Sequence, residues 1–500
     1  MPGRAIRWAY AATVLVFLAS LVQYYQRNTG FTTLISFGDQ FEKTRLPAVV
    51  DVPHFVHYQS PGYDGQFYAQ MAVEPLLRNR RLERALDSPS YRARRVLFSW
   101  TAYAFGLGRP AWILKVYALQ NIVAWLLLAW VLTRWFPPSA PRNLIPWIGC
   151  LFGVGLVYSV RFALTEGPGL LLIALAVAAI ERGRPWLASG LMALVGLGRE
   201  TNFIAGGLLL DRVPKGWRGT LATAARLLVA VVPFAAWFLY VRSVFPPLAA
   251  SDAANFAAPF SGYVSKWEFT VTQLQASGWF GSWARFNLAA LVSLSVQAGF
   301  LLARREWGSA WWRAGAPYCA LMPFLSYSVW EGDPGAVVRV VLPMSVAFNV
   351  LVVRSRWFWP LVIAGNASVV HGLHMMTVPW LAALLYSGAA RAAAGALPAV
   401  LAPAGSACYM GGRDSESTTG RARRLPSRTP QAGNPPRLGV GFRISPRARA
   451  IRAGSTATRR ARESSARSSG SGQRARPAPY GSSAPGPDPP CVDPASRPLV

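Results

Sequence analysis

Apolar runs divided by short charged clusters repeat from the N-terminus as far as Val400. That is the pattern of a chain threaded repeatedly through lipid. Arg4 and Arg7 precede the first run, Ala9 to Tyr25. The run is long, ends in aromatic Tyr24 and Tyr25, and lacks an A-x-A cleavage pattern. It reads as an uncleaved span with its N-terminus inside. From Gln26 to Arg95 nothing is apolar enough to cross, and the stretch is rich in Asp, His, Pro, Tyr and Arg. Following an inside-to-outside span, it is predicted to lie outside the cytoplasm. Val96 to Leu107 is apolar but short, and Gly106, Gly108 and Pro110 break it. It reads as a juxtamembrane or re-entrant helix.

Further spans are predicted at Ala111–Thr133, Leu144–Val160, Gly167–Ile180, Thr220–Val241, Phe286–Ala303, Ala310–Trp330 and Val337–Val353. Two more fit between Trp357 and Val400. Between Pro185 and Leu210 lie two shorter apolar pieces, split by Gly196, Gly198, Arg199 and Glu200. They suit a hairpin of two short helices, which lipid tolerates only when protein or a water-filled cavity surrounds it. The fold class is therefore an all-α polytopic membrane protein with about 10–12 transmembrane helices and a large first extracytoplasmic loop. The positive-inside rule agrees if the Pro185–Leu210 hairpin crosses and returns. Arg142, Arg182 with Arg184, Arg212 with Lys215 and Arg218, Arg304 with Arg305, and Arg354 with Arg356 fall on one side. Arg161–Glu166, Arg199–Glu200, Ser243–Arg285 and Glu331–Gly335 fall on the other.

After Pro403 the pattern stops. Arg, Ser, Pro, Gly and Ala dominate and periodicity vanishes. The organisation is thus a membrane domain at 1–403, with its outer loop at 26–95, and a tail at 404–500 that is expected to be disordered. The same composition is what a frameshifted reading of GC-rich DNA yields. No function is assigned to it.

The net charge of +30 raises the question of nucleic acid. From Leu401 to Val500 there are 17 Arg against 5 Asp plus Glu, so the tail alone supplies +12. The other charges sit at the ends of spans, and no nucleic-acid-binding motif accompanies them. The four cysteines, Cys150, Cys319, Cys408 and Cys491, have no metal-site or disulfide spacing.

Ionisable residues at membrane depth or in tight outer loops are costly, so each suggests a function. The densest group is Gly62-Tyr63-Asp64-Gly65-Gln66-Phe67-Tyr68-Ala69-Gln70. A turn between two glycines would expose the Asp64 carboxylate, and Gln66, Tyr68 and Gln70 alternate beside it. A transferase needs such a carboxylate as a general base, and polar groups for sugar hydroxyls. The bland alternative is an Asx-type turn. Arg92, Arg94 and Arg95 form a second cluster, suited to lipid phosphate or to interfacial anchoring. Arg199 and Glu200 form a third, which could neutralise itself or address a phosphate. Glu331, Asp333 and Arg339 form a fourth, at an outer turn. His54 and His57 share the loop with Asp64, but Pro53 argues against a metal site.

The stretches GYDGQFYAQMAVEP, YRARRVL at Tyr91–Leu97, GLGRETNF at Gly196–Phe203 and VVRVVLPMSVAFN at Val337–Asn349 resemble bacterial multi-spanning proteins of the C-type glycosyltransferase superfamily. The resemblance extends over the layout from Met1 to about Val400. It implies transfer of a sugar from a polyprenyl-phosphate donor to a glycan or lipid acceptor, outside the cytoplasm of a cell inner membrane. It also implies an essential acidic residue in the first outer loop. Asp64 is the first candidate and Asp39 the second. The doubled acidic pair of several branches is missing, which leaves the choice between them open. Gln66, Tyr68, Arg94, Arg95, Arg199, Glu200 and Arg339 are the candidate substrate-binding residues. The expected partners are the lipid-linked sugar, the acceptor and membrane lipids. No cofactor is implied, and a divalent-cation requirement is left open. The rival reading is a transporter or flippase for lipid-linked glycans, holding phosphate on the same cations without a base.

Overall fold

A computed structural model describes residues 2–210, 216–245, 253–281 and 283–376. The tail and the last expected span lie outside the described residues. The described chain is mostly helical, with one pair of two-residue strands.

Four helices are long and apolar enough to cross a membrane: Arg4–Tyr24, Pro110–Leu132, Gly216–Val244 and Ala284–Ala303. They mark the chain as a membrane protein. The side chains turned away from the core agree. Along Gly216–Val244, Trp217, Leu221, Leu228, Val232 and Leu239 are all exposed, and their spacing of four and seven places them on one stripe. In water such a stripe would be an aggregation site; against lipid it costs nothing.

The remaining apolar runs are shorter or broken, for reasons visible in their sequence. Leu144–Val160, expected as one span, is two helices, Pro141–Phe152 and Val154–Arg161. They are bent by 45° at Gly153, which takes a non-helical ψ of 133°. Counted as one span, the pair makes a fifth. Ala310–Trp330 divides further, into Ala310–Gly315, Pro317–Leu321, Met322–Phe324 and Tyr327–Trp330. Pro317 and Pro323 cannot donate to the helical ladder, which allows a break there, although Pro146 and Pro233 lie inside helices. Val337–Val353 likewise breaks before Pro343, into Val337–Val340 and Leu342–Val352. The Pro185–Leu210 hairpin forms as a helix, Pro185–Gly198, and a 3-10 segment, Glu200–Leu209. They meet at Arg199, which is fully extended (φ −166°, ψ 126°). Ser243–Arg285, expected on the outer side, contains a helix at Ser261–Gly281 that is interrupted at Gly278 (φ +67°).

The stretch 26–95 is also more than a polar loop. It has its own core, in which Ile35, Phe37, Leu46, Val49, Val56, Phe67, Met71 and Leu82 are buried together. Phe37–Gly38 pairs in parallel with Val56–His57, and Gly65–Val73 is a helix. This core continues onto Ile113, Leu114 and Tyr117 of the Pro110–Leu132 helix. Leu97–Phe105, the short apolar helix expected from the sequence, packs between them. The loop is thereby welded to the bundle by apolar burial.

Two glycines permit the close approach. Gly62 has φ +72°, and a Cβ there would meet the Ser36 carbonyl oxygen at 2.4 Å. A Cβ on Gly65 would meet the Phe162 carbonyl oxygen at 2.3 Å and that of Ile35 at 2.9 Å. Neither neighbour is a side chain that can swing away. Gly65→Ala is therefore expected to destabilise by about 1–3 kcal/mol through overpacking. Gly190→Ala, in a helix where nothing lies within 4 Å of the added atom, is expected to be neutral or stabilising by about 0.5–1 kcal/mol. Thermal unfolding in detergent, read side by side, checks the pair; equal behaviour would contradict the packing described.

Candidate active site: four carboxylates against four guanidiniums

The helix Gly65–Val73 begins directly after Asp64. Asp64 occupies the N-cap position but makes no capping bond. Its carboxylate turns instead to Arg92, whose Nη2 donates to Oδ1 at 2.8 Å. Tyr68 lies one turn along the same face, because positions i and i+4 stack. Its hydroxyl accepts from Arg95 at 3.0 Å and from Arg92 at 3.3 Å. The alternation read from sequence as polar groups flanking Asp64 does not hold, since the segment is helical. Gln66 and Gln70 leave that face and are buried. Gln66 bonds the Gly38 amide and the Pro61 carbonyl, and Gln70 bonds the Leu46 amide and the Ala85 carbonyl. Both tie the loop's backbone together.

Arg92 ends the short helix Pro89–Arg92, and Arg95 follows three residues on. Arg92 is also clasped by Asp87, at 2.9 Å from Nε and 2.7 Å from Nη2. Arg95 makes a two-pronged pair with Glu200, at 2.9 and 2.6 Å. Arg94 faces elsewhere, over the rings of Phe238 (5.3 Å) and Tyr91 (5.9 Å).

Arg199 and Glu200 do not neutralise each other. The extended backbone at Arg199 sends consecutive side chains to opposite sides. Glu200 goes to Arg95, and Arg199 goes to Glu166. Glu166 Oε1 is shared with Arg339 at 3.4 Å. Arg339 stands 3.9 Å from Asp64 Oδ2 and 5.5 Å over the Tyr63 ring, which stacks on Phe162. Glu166 is placed by a buried polar pin at the start of its helix. Ser159 Oγ donates to Asn121 Oδ1 and accepts from the Gly167 amide. The structure thus joins Asp64, Tyr68, Arg95, Arg199, Glu200 and Arg339. With them come Arg92 and Tyr63, from the same two sequence clusters, and two added acids, Asp87 and Glu166.

Asp39 stands apart from this cluster. Its two oxygens accept the Gln59 and Ser60 amides, at 2.8 and 3.0 Å. These bonds hold its carboxyl below the usual range. Glu331 and Asp333 likewise separate from Arg339. Asp333 takes Asn287 at 2.5 Å, and its carbonyl takes the Tyr158 hydroxyl at 2.6 Å. His54 faces Phe37 and Arg45, while His57 faces the Thr33 carbonyl. Among the described residues no three His, Cys, Asp or Glu side chains gather as a metal site.

The electrostatics follow from burial and pairing. Burial pushes the Asp64 carboxyl up, but Arg92, Arg339 and Arg95 together outweigh it and hold it far below the usual carboxylate range. Four guanidiniums meet four carboxylates, so the cluster is balanced. Asp64 and Asp87 are the more open of the four, with side chains 31% and 30% exposed, against 23% for Glu200 and 3% for Glu166.

Two of the added acids had faint signals. Glu166 is an ionisable residue at the head of an apolar run, which alone marks it for function. Asp87 precedes Ser88-Pro89 and reads as a turn residue; only the fold turns it to Arg92. No family model matches the chain, and no curated protein or solved structure matches it.

Removing one member of a buried pair leaves the other charge uncompensated. Glu200→Gln is expected to cost about 3–5 kcal/mol, and Arg95→Met combined with it to recover a large part of that. A double-mutant cycle of unfolding midpoints reads the coupling. Additive single and double variants would deny the coupling.

Proposed function

We propose that the protein is an integral membrane glycosyltransferase that moves a sugar from a polyprenyl-phosphate donor to a cell-envelope glycan or lipid acceptor. The observation that carries this reading is the partly open Asp64 carboxylate, set against Arg92 and Arg339 within one balanced cluster. A base beside cations suited to phosphate is the minimum that such a transfer needs. The resemblance to the C-type glycosyltransferase superfamily supplies the substrate class. On this reading the short and broken helices complete a multi-pass bundle of about 10–12 crossings in an inner membrane, with residues 26–95 outside the cytoplasm.

The step is a single inverting displacement. The acceptor hydroxyl oxygen attacks the anomeric carbon as its proton passes to Asp64. The bond from that carbon to the phosphate oxygen breaks, and the lipid phosphate leaves with the electron pair. Guanidiniums stabilise the charge that gathers on it. The strong pairing of Asp64 bears directly on this chemistry, because a carboxylate held so acidic is a weak base. A donor phosphate competes for the same guanidiniums. Once it draws Arg92 or Arg339 away, Asp64 loses its counter-charge and gains proton affinity. Donor binding and base activation are then one event.

Asp64→Asn keeps the size of the side chain and removes the proton acceptor. Transfer is expected to fall about a hundredfold to ten-thousandfold while protein level and insertion persist. Asp39→Asn, which weakens two backbone bonds, is expected to be milder. A dead Asp39→Asn beside an active Asp64→Asn would move the base. Full activity in both would leave the transporter reading ahead.

The side of the membrane is tested separately. Tyr58→Cys is placed on an exposed loop position, in a background without native cysteines. It is expected to react with an impermeant thiol reagent added to intact spheroplasts. Labelling only after lysis would invert the topology and remove the proposed site from the outer face.

A further inference from the structure

A second feature lies away from the paired carboxylates. A cavity of about 960 Å³ opens between the helix Pro141–Phe152, the first turns of Ala284–Ala303, and the helices Phe358–Gly365 and Val369–Met375. None of Asp64, Asp87, Glu166 and Glu200 lines it. Its walls are mainly aliphatic, with Ile145, Val292, Ile363 and Val370 among them. Ile363 and Val370 are largely exposed, so the cavity opens sideways through apolar rims. Its volume is at the upper end for small-molecule sites, which run to about 1,000 Å³.

One end is different in character. Arg285 and His374 both line it. Arg285 sits in the first turn of Ala284–Ala303, where the helix dipole adds positive potential. Among the described residues no carboxylate pairs with Arg285, and its buried Nε has no hydrogen-bond partner. Its guanidinium rests 4.9 Å from the Phe286 ring. Arg92, Arg95, Arg199 and Arg339 each have a carboxylate; among the described residues Arg285 does not. A part-buried cation without a counter-ion is a cost that an anionic ligand removes.

We propose that this cavity binds an anionic phospholipid of the bilayer, with an acyl chain along the aliphatic walls and the phosphate on Arg285. The apolar walls select a chain, and the unpaired cation selects the sign of the headgroup. The site is independent of the sugar-transfer reading, since it uses none of the residues assigned there.

The test uses the full chain, purified in detergent, stripped of lipid, and titrated with phosphatidylglycerol or phosphatidylcholine. Native mass spectrometry reads the bound lipid. Phosphatidylglycerol is expected to bind roughly tenfold more tightly, the worth of one charge-assisted contact. Arg285→Gln is expected to abolish the preference and Arg285→Lys to keep much of it. Ala289→Trp, which fills the cavity, is expected to lower uptake of both lipids. Equal uptake by the unaltered protein, or a preference that survives Arg285→Gln, would overturn the proposal. So would uptake of neither lipid, as when another part of the chain closes the cavity. Stronger binding of a long isoprenyl phosphate at the same site would overturn the assignment to phospholipid. Transfer activity is not the readout, so failure here leaves the sugar-transfer proposal standing, and the reverse.

Discussion

Arg95 reaches Glu200 across 105 residues of chain, and most of what surrounds the candidate site depends on pairings of that kind. Charges removed from water must be paired and hydrogen-bonded, or the desolvation cost stands unmet. Asp87 and Arg92 lie in the first loop, Glu166 at the head of a central helix, Glu200 at a helix break, and Arg339 in a short helix near the end of the described chain. Each position is tolerable only when the others arrive. The network therefore fixes how the loop sits on the bundle. Apolar burial from Ile35 and Phe67 to Ile113 and Tyr117 supplies the attraction. The charges supply the register, which is the best-attested use of buried ion pairs.

The same network shapes the chemistry available. A carboxylate held by two guanidiniums is firmly ionised and reluctant to take a proton. Guanidiniums already engaged by carboxylates are poor hosts for a second anion unless one pairing gives way. Asp64 and Asp87 are the more open of the four acids, and the contact of Asp64 with Arg339 is long. Glu166 and Glu200 are more enclosed and hold Arg199 and Arg95. Tyr68 accepts from both Arg92 and Arg95 through one hydroxyl, so the two pairs are linked.

Lipid as solvent explains the contrast between the outer helices and the inner ones. Helices such as Gly216–Val244 turn long aliphatic and aromatic side chains outward and must stay unbroken, since hydrocarbon cannot satisfy a loose amide. Inside, the chain is free to break at Gly153, Arg199, Pro317 and Pro323, because neighbouring protein meets the freed groups. The break at Arg199 also brings ionisable side chains inward. The extended backbone at Arg199 lets two consecutive charges serve two different partners.

The sequence by itself determined the long apolar helices, the short Leu97–Phe105 helix, the hairpin break at Arg199–Glu200, and the clustering of ionisable residues around Asp64 and the Arg92–Arg95 run. Each is set by local composition: an apolar run, a proline, a pair of charges. It did not determine that Leu144–Val160 bends at Gly153, that Ala310–Trp330 breaks, or that a helix forms at Ser261–Gly281. A glycine or proline inside an apolar run permits a break without requiring one, and only the surrounding packing selects it. Nor did the sequence determine the partners. Asp87, Glu166 and Tyr63 entered the site, while Gln66, Arg94 and Asp39 took up other contacts. Pairing joins groups that are 28, 105 or 173 residues apart. A pattern with a reach of one helical turn carries no information about contacts at that separation; the tertiary structure alone decided them.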